Sequence, residues 1–323
     1  MRPLVIILGP TASGKSALAV RVAREFGGEI LACDSTQVYR GFDVGTAKPD
    51  EAERGGIPHH LMDLAGPDEI FTAGEYRRRA AAVLKDLNRR GRLPVMTAGT
   101  GLYLRALLEG LADAPERSEE LRARLEAIVE RRGHAYLHRL LRRLDPPSAT
   151  RISPNDKQKL IRAVEICVVA GKPLSQVHQA GREPLRGYAA VKIGLAPARE
   201  LLHQRIERRV LQMIERGWLA EAAALLREGA RATAKPFEFI GYRELREHLL
   251  GRATLDDAVR AISVATRQYA KRQMTWFRKE PGVAWISGFG DDPSVVAEAL
   301  RLLETQLQAA GRRPPRPETS NQV

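Results

Sequence analysis

The sequence predicts an α/β protein, a P-loop-type parallel sheet flanked by helices, with a second, all-helical domain inserted into it. Three observations carry that prediction. Short apolar runs alternate with amphipathic helical stretches over the first third of the chain. The stretch "GPTASGKS", Gly9 to Ser16, has the phosphate-loop spacing G-x-x-x-x-G-K-S and lies between such a run and such a helix. From about Glu116 to Gly187 the alternation stops, and nearly everything with a clear period is helical.

Leu4 to Gly9 is the first strand. "GKSALAVRVAREFG" follows as a helix, with Leu18, Val22 and Phe26 on one face and Gly27-Gly28 as its stop. "EILACDS" is the second strand, ending at Asp34, and "HHLMDL", His59 to Leu64, is a short third. "TAGEYRRRAAAVLKDLNRRG" is a helix capped by Thr72 and closed by Gly91. "LPVMTAGTGLYLRALLEG" is a strand that turns at Gly99 into a helix. In the insertion, Ser118 caps a helix with Glu119 and Glu120 in its first turn. Leu121, Leu125, Ile128 and Val129 form its apolar stripe, and Gly133 ends it. "AYLHRLLRRLD", stopped by Pro146-Pro147, and "NDKQKLIRAVEICVVAG", ending at Gly171, are two more. "YAAVKIGLAP" returns to strand character. Two long helices follow, "ARELLHQRIERRVLQMIERG" and "TLDDAVRAISVATRQYAKRQMTWFRK", the second capped by Thr254. "VAWISGF" is the last strand. The expected division is 1–115 with 188–310 for the core, 116–187 for the insertion and 311–323 for a disordered, proline-rich tail.

Composition narrows the function classes. A chain of 323 residues, 44% hydrophobic and 28% charged, has the make-up of a globular protein with one sizeable core and a smaller unit. No apolar run approaches the roughly 18–20 residues that cross a bilayer. The run Leu4 to Leu8 is too short for a signal peptide and leads straight into the phosphate loop. Two isolated cysteines, Cys33 and Cys167, argue for a reducing compartment, hence a cytoplasmic protein, without a disulfide framework or zinc site. The net charge is +13. Between Glu116 and Lys192 there are 16 basic and 9 acidic side chains, a local net of +7. About a quarter of the chain thus carries over half of the charge. A uniform compositional bias would not concentrate it so, and nucleic acid is the partner this favours.

Chemistry follows from the strand ends. Glycines let a phosphate loop wrap closely around anionic oxygens, the helix dipole adds positive potential, Lys15 neutralises charge and Ser16 can hold Mg2+. The loop does not specify what the phosphates are attached to. Asp34 closes a strand beside the loop and has three readings: general base, second-shell Mg2+ ligand, or cap of the following turn. "STQVYRGFDVGTAKP" is long, irregular and polar, as functional loops are, and Gln37 and Tyr39 are candidates to read and stack on a base. Thr100, in the turn "AGTG", is a candidate substrate contact or else a helix cap. His59 and His60 are adjacent on a strand, so they point to opposite faces and are not read as a metal pair. Gln158 and Arg162, four residues apart, share one helix face with Lys159 adjacent; Lys271, Thr275 and Arg278 share another, near Trp276 and Phe277. Together they are read as an RNA track.

Seven stretches, in order, resemble the tRNA dimethylallyltransferase, or tRNA isopentenyltransferase, family: "GPTASGKS", "DSTQVYRGFDVGTAKP", "PHHLMDL", "AGTGLYLRALLEGL", "NDKQKLIRAVEI", "FIGYRE" and "ATRQYAKRQMTWFR". The resemblance implies transfer of a dimethylallyl group from dimethylallyl diphosphate to N6 of the adenosine just 3′ of a tRNA anticodon, assisted by Mg2+. It implies that Gly9, Pro10, Thr11, Ala12, Ser13, Gly14, Lys15 and Ser16, with Arg209, hold the donor diphosphate, that Ser16 faces the metal, and that Asp34 is the base. It implies tRNA contacts at Asp34, Ser35, Thr36, Gln37, Thr100 and Arg122. The same is implied for Gln158, Lys159, Leu160, Ile161 and Arg162, for Gly241, Tyr242 and Arg243 within the stretch from Glu238, and for Lys271, Arg272, Gln273 and Arg278. The insertion is expected to grip the anticodon stem, and the protein to act as a monomer. Ala98 stands where the family usually has Gly, and Cys33 where it has Ser or Ala. Two other uses of such a loop are an adenylate isopentenyltransferase acting on free AMP, ADP or ATP, and a nucleotide kinase.

Overall fold

The computed structural model describes residues 1–112, 114–179, 181–228, 230–231 and 234–309; the tail expected to be disordered lies outside them. Six parallel strands form one sheet: β1 (Arg2–Leu8), β2 (Gly28–Cys33), β3 (His59–His60), β4 (Leu93–Ala98), β5 (Tyr188–Leu195) and β6 (Val283–Ile286). Their order is β3-β2-β4-β1-β5-β6. Ile6 of β1 pairs with Met96 of β4 on one side and Lys192 of β5 on the other. β1 is therefore central, and the loop that follows it emerges at the middle of the carboxyl edge, where such sheets bind ligands.

The inner strands are mostly apolar because both faces are covered, with Glu29 of β2 and Lys192 of β5 as buried charges among them. Val5, Ile7, Ile30, Val95, Ile193 and Ile286 pack with Leu18, Val22 and Phe26 of the helix Lys15–Phe26 and with Val295, Ala299 and Leu303 of the helix Pro293–Ala309. The alternate residues Leu4, Ile6, Leu8, Leu31 and Met96 are equally buried and face the other way. The helix Pro293–Ala309 went unread in the sequence, although its four-residue apolar spacing is plain. The third strand is shorter than expected, two residues. Thr72, Ser118 and Thr254 do cap their helices, each accepting a backbone N–H three residues on.

The chain divides into two compact units, one of Met1–Leu107 with the residues from Arg186 on, the other Leu108–Leu185. The second begins earlier and ends sooner than the expected 116–187. Its entering and leaving segments pair with each other, through an antiparallel bridge between Ala112 and Arg182 and the Leu185 N–H on the Leu108 carbonyl at 3.0 Å. Such non-local pairing leaves no periodic trace in sequence. The unit's core gathers Leu125, Leu137, Leu141, Leu160, Ile161, Val164 and Val177 from its helices.

Candidate active site

The phosphate loop has the conformation of an anion cradle. Ala12 takes a left-handed φ of 63° and Gly14 one of 83°, the sharply bent backbone with which such loops wrap an anion. Gly14 has no room for a side chain, since a Cβ there would lie 2.6 Å from Asp291 Oδ1 and 2.7 Å from the Gly290 nitrogen. No side chain caps the helix that Gly14 opens, so its first N–H groups are left for a ligand. The Ser13 hydroxyl is buried without a hydrogen-bond partner among the described residues, an arrangement that costs free energy unless a ligand satisfies it.

Two cations meet this loop. Lys15 Nζ donates to the Pro10 carbonyl at 2.7 Å. Burial pushes its ammonium down from 10.5 to about 8, against the pull of Asp34 and with the push of Arg209. Arg209, on the helix Arg199–Glu215, is half-buried and makes no ion pair among the described residues; burial likewise lowers it. Arg205, one turn earlier, is instead spent on Asp291, with two bonds of 2.8 and 2.7 Å. Sequence alone could not tell these arginines apart. The loop residues Thr11–Ser16, Lys15 included, line one cavity of about 770 Å³ together with Asp34, Gly99, Arg209, Tyr269 and Gln273.

Asp34 stands at the end of β2. Its Oδ1 accepts the Thr36 N–H at 2.9 Å and the Thr36 hydroxyl at 2.7 Å. It does cap the following turn, with one oxygen only. Oδ2 rests over Gly99, where an added Cβ would lie 2.4 Å from it. Thr100 holds the same corner: its Oγ1 accepts the Ser35 N–H at 2.9 Å and donates to Ser35 Oγ at 3.2 Å. The Thr100 and Gly99 N–H groups both bond the Cys33 carbonyl. A second, less polar cavity of about 410 Å³ meets the first at Thr11, Ala12, Asp34 and Arg209. Trp218, Phe239, Ile240, Val210 and Met213 line it, as do Ser35 and Thr36.

The segment from 36 to 49 is ordered by a residue the sequence reading passed over. Lys48 is buried and its ammonium donates to the Tyr39 carbonyl and Asp43 Oδ1, both at 2.6 Å, and to Asp63. Glu221 accepts the N–H groups of Asp43, Val44 and Gly45. Gln37 spends its amide on the Thr46 and Ala47 carbonyls, each at 3.2 Å, and Tyr39 is buried with its ring against Phe239. Gln37 stays on the cavity wall with its amide nitrogen engaged, whereas the Tyr39 ring is not presented for stacking on a base. Tyr242 is likewise no surface contact: it is fully buried between Phe42 and Trp218 and bonds Glu221. Gly241 has a φ of 94°, and a Cβ there would strike Trp218 at 1.8 Å. Of that stretch Arg243 is exposed, paired with Glu244.

The other expected RNA contacts also divide by burial. Lys271 and Arg272 are exposed on the helix Leu255–Phe277, and Arg278 is exposed just past its end. Gln273 faces inward, and its exposure is 6%. Trp276 covers Gly101, and Arg105 stacks over its ring at 4.6 Å. In the second unit Gln158 and Lys159 are exposed, whereas Leu160 and Ile161 are fully buried core. Arg122 and Arg162 converge on the buried Glu165, with bonds of 3.1 and 2.7 Å. Burial works against that carboxylate's charge, but Arg122, Arg162 and the Ser118 N–H outweigh it and hold it below its usual range. Arg122 is thus an internal ion-pair partner. The hydrophobic spacing of this helix already marks Leu160 and Ile161 as core. On the edge strand β3, His60 bonds Glu29, and His59 bonds the Ile57 carbonyl.

The chain is similar to proteins of one family. A family model described as IPP transferase matches residues 37–280. The tRNA dimethylallyltransferase of Koribacter versatilis is 52% identical, over 94% of this chain and 98% of its own. That of Solibacter usitatus is 49% identical, over 92% and 97%. Among solved structures, the full-length tRNA isopentenylpyrophosphate transferase of Bacillus halodurans superposes with a TM-score of 0.69 at 36% identity, covering 97% of this chain and all of that one. A eukaryotic dimethylallyltransferase acting on tRNA gives a TM-score of 0.80 at 26% identity, covering 98% and 82%.

Proposed function

Because the chain belongs to the tRNA dimethylallyltransferase family, we propose that it moves the dimethylallyl group of dimethylallyl diphosphate onto N6 of the adenosine just 3′ of a tRNA anticodon. The observation that carries this reading is the pairing of a carboxylate with a phosphate cradle in one cavity. Asp34 lines the same 770 Å³ space as Lys15, Arg209 and the loop.

An exocyclic adenine amine is a weak nucleophile, since its lone pair is delocalised into the ring. As the new C–N bond forms and the C–O bond to diphosphate breaks, the N6 proton passes to a carboxylate. Asp34 Oδ2 is the oxygen for that proton, because Thr36 occupies Oδ1. General-base help of this kind is worth about 10²–10⁴-fold. The charge that gathers on the departing diphosphate meets Lys15, Arg209, the uncapped helix N–H groups and the Ser13 hydroxyl. The second cavity, with its aromatic and aliphatic walls, offers room for the extruded base.

Mg2+ fits this donor set in one way. Ser16 offers a hydroxyl on the cavity wall, and no cluster of three acidic, His or Cys side chains able to enclose a metal exists among the described residues. That suits a hydrated ion that takes most of its ligands from phosphates and water. When bound, Mg2+ would supply further charge neutralisation to the diphosphate.

Asp34→Asn tests the base. It keeps the shape and the Thr36 bonds to Oδ1. Donor and tRNA dissociation constants are expected to stay within about threefold, while kcat falls by about 10²–10⁴-fold. Unchanged turnover would remove Asp34 from the chemistry.

A further inference from the structure

The position of Gln273 carries an inference that rests on the reading just given. In the helix Leu255–Phe277 it is buried between the exposed Arg272 and the half-buried Met274. Its Oε1 accepts the Thr11 N–H at 2.7 Å, and its Nε2 donates to the Gly99 carbonyl at 2.8 Å. Turning the amide over would set NH2 against N–H and oxygen against carbonyl, so the two partners fix its orientation. Thr11 belongs to the phosphate loop. Gly99 is the residue on which Asp34 Oδ2 rests. One side chain therefore joins the backbone that cradles the leaving group to the backbone that supports the base. Tyr269, one helical turn earlier, adds its hydroxyl to the Gly99 carbonyl at 3.3 Å.

We propose that Gln273 is a positioning residue for group transfer, setting the distance between the donor cradle and the Asp34 carboxylate. It acts through Thr11 and Gly99 and is not itself in the reaction. Transfer is steeply sensitive to such distances, and a shift of about 1 Å costs about 10²-fold. Donor affinity depends instead on Lys15, Arg209 and the helix N–H groups, which Gln273 does not touch.

The test compares the full-length wild type with Gln273→Met and Gln273→Glu, using dimethylallyl diphosphate and an unmodified tRNA transcript. For Gln273→Met we expect kcat to fall by about 10–100-fold with the donor KM within about threefold. The active-site concentration, read from single-turnover amplitude, is expected to stay the same. While ionised, Gln273→Glu cannot donate to the Gly99 carbonyl, and its kcat is expected to fall at least as far. Once protonated, its carboxyl has the same donor and acceptor pair as the amide, so its kcat relative to wild type rises as the pH falls. A side chain that merely fills space gives no such rescue. A Gln273→Met kcat within about twofold of wild type overturns the assignment. So does a fall matched by lost active sites, or a Gln273→Glu kcat ratio that is depressed and stays so as the pH falls. A wild type that transfers nothing contradicts the functional reading itself, and is distinguished from these by its own null rate.

Discussion

If the phosphate loop holds the donor diphosphate as proposed, Lys15 sets the pH range in which it binds. With its ammonium brought down to about 8 by burial, the free enzyme loses this charge at the alkaline edge of the physiological range. On that proposal diphosphate binding favours the charged form, so binding to the neutral form takes up a proton. Donor affinity is therefore expected to be flat below pH about 8 and to weaken by up to tenfold per pH unit above it. Calorimetric titration with a non-hydrolysable donor analogue across pH 7 to about 9.5 reads this directly, and Lys15→Met should remove the slope. Gly99→Ala makes a second residue-scale test. The added methyl would meet Asp34 Oδ2, which is the movable end of a side chain. The carboxylate swings rather than the fold, so kcat should fall by about 10²-fold while stability changes by less than about 1 kcal/mol. At this scale the sequence was legible where a motif has a mechanism, as at Lys15 and Ser16. It was not legible for Lys48, Gln273 and Tyr242. Whether a polar side chain in a loop or helix faces in or out is decided by partners far along the chain, such as Asp63 for Lys48 and Thr11 for Gln273.

The strands and the segments between them carry a different kind of prediction. Glu29, on β2, is buried yet ionised. Hydrogen bonds from Arg90 come first among the causes that hold it down from 4.5 to about 2; burial opposes them, and His60 adds to them. The folded protein keeps this carboxylate charged where the unfolded chain would bind a proton. Its stabilisation is complete above pH about 4.5 and is lost as the pH falls toward 2. Glu29→Gln should cost about 2 kcal/mol at pH 7 by urea unfolding and flatten the acid limb of the stability profile. Strand positions were readable because buried parallel strands are continuous apolar runs bounded by glycine and charge, as in "VIIL" and "EILAC". Short helices such as Glu51–Arg54 and Pro146–Arg151 were not, since one turn of helix has no period to detect.

For the whole molecule, charge is the readable quantity. The concentration of basic residues in the insertion motivates tRNA as partner, and the exposed Arg131, Arg132, Arg139, Arg142 and Arg143 are its surface form. Each phosphate contact removed should lower the slope of log affinity against log salt by about one. Replacing Arg142 and Arg143 by Glu should therefore flatten that slope by up to about two, with donor affinity unaffected. The central claim is that the phosphate loop holds a prenyl diphosphate whose carbon moves to tRNA. It is tested most directly by incubating the protein with labelled dimethylallyl diphosphate and, in parallel, unmodified tRNA, AMP and ATP. The account predicts label on the adenosine next to the anticodon and none on the free nucleotides. Label on AMP or ATP at a rate equal to that on tRNA, or phosphoryl transfer from ATP with no prenyl transfer at all, would contradict it.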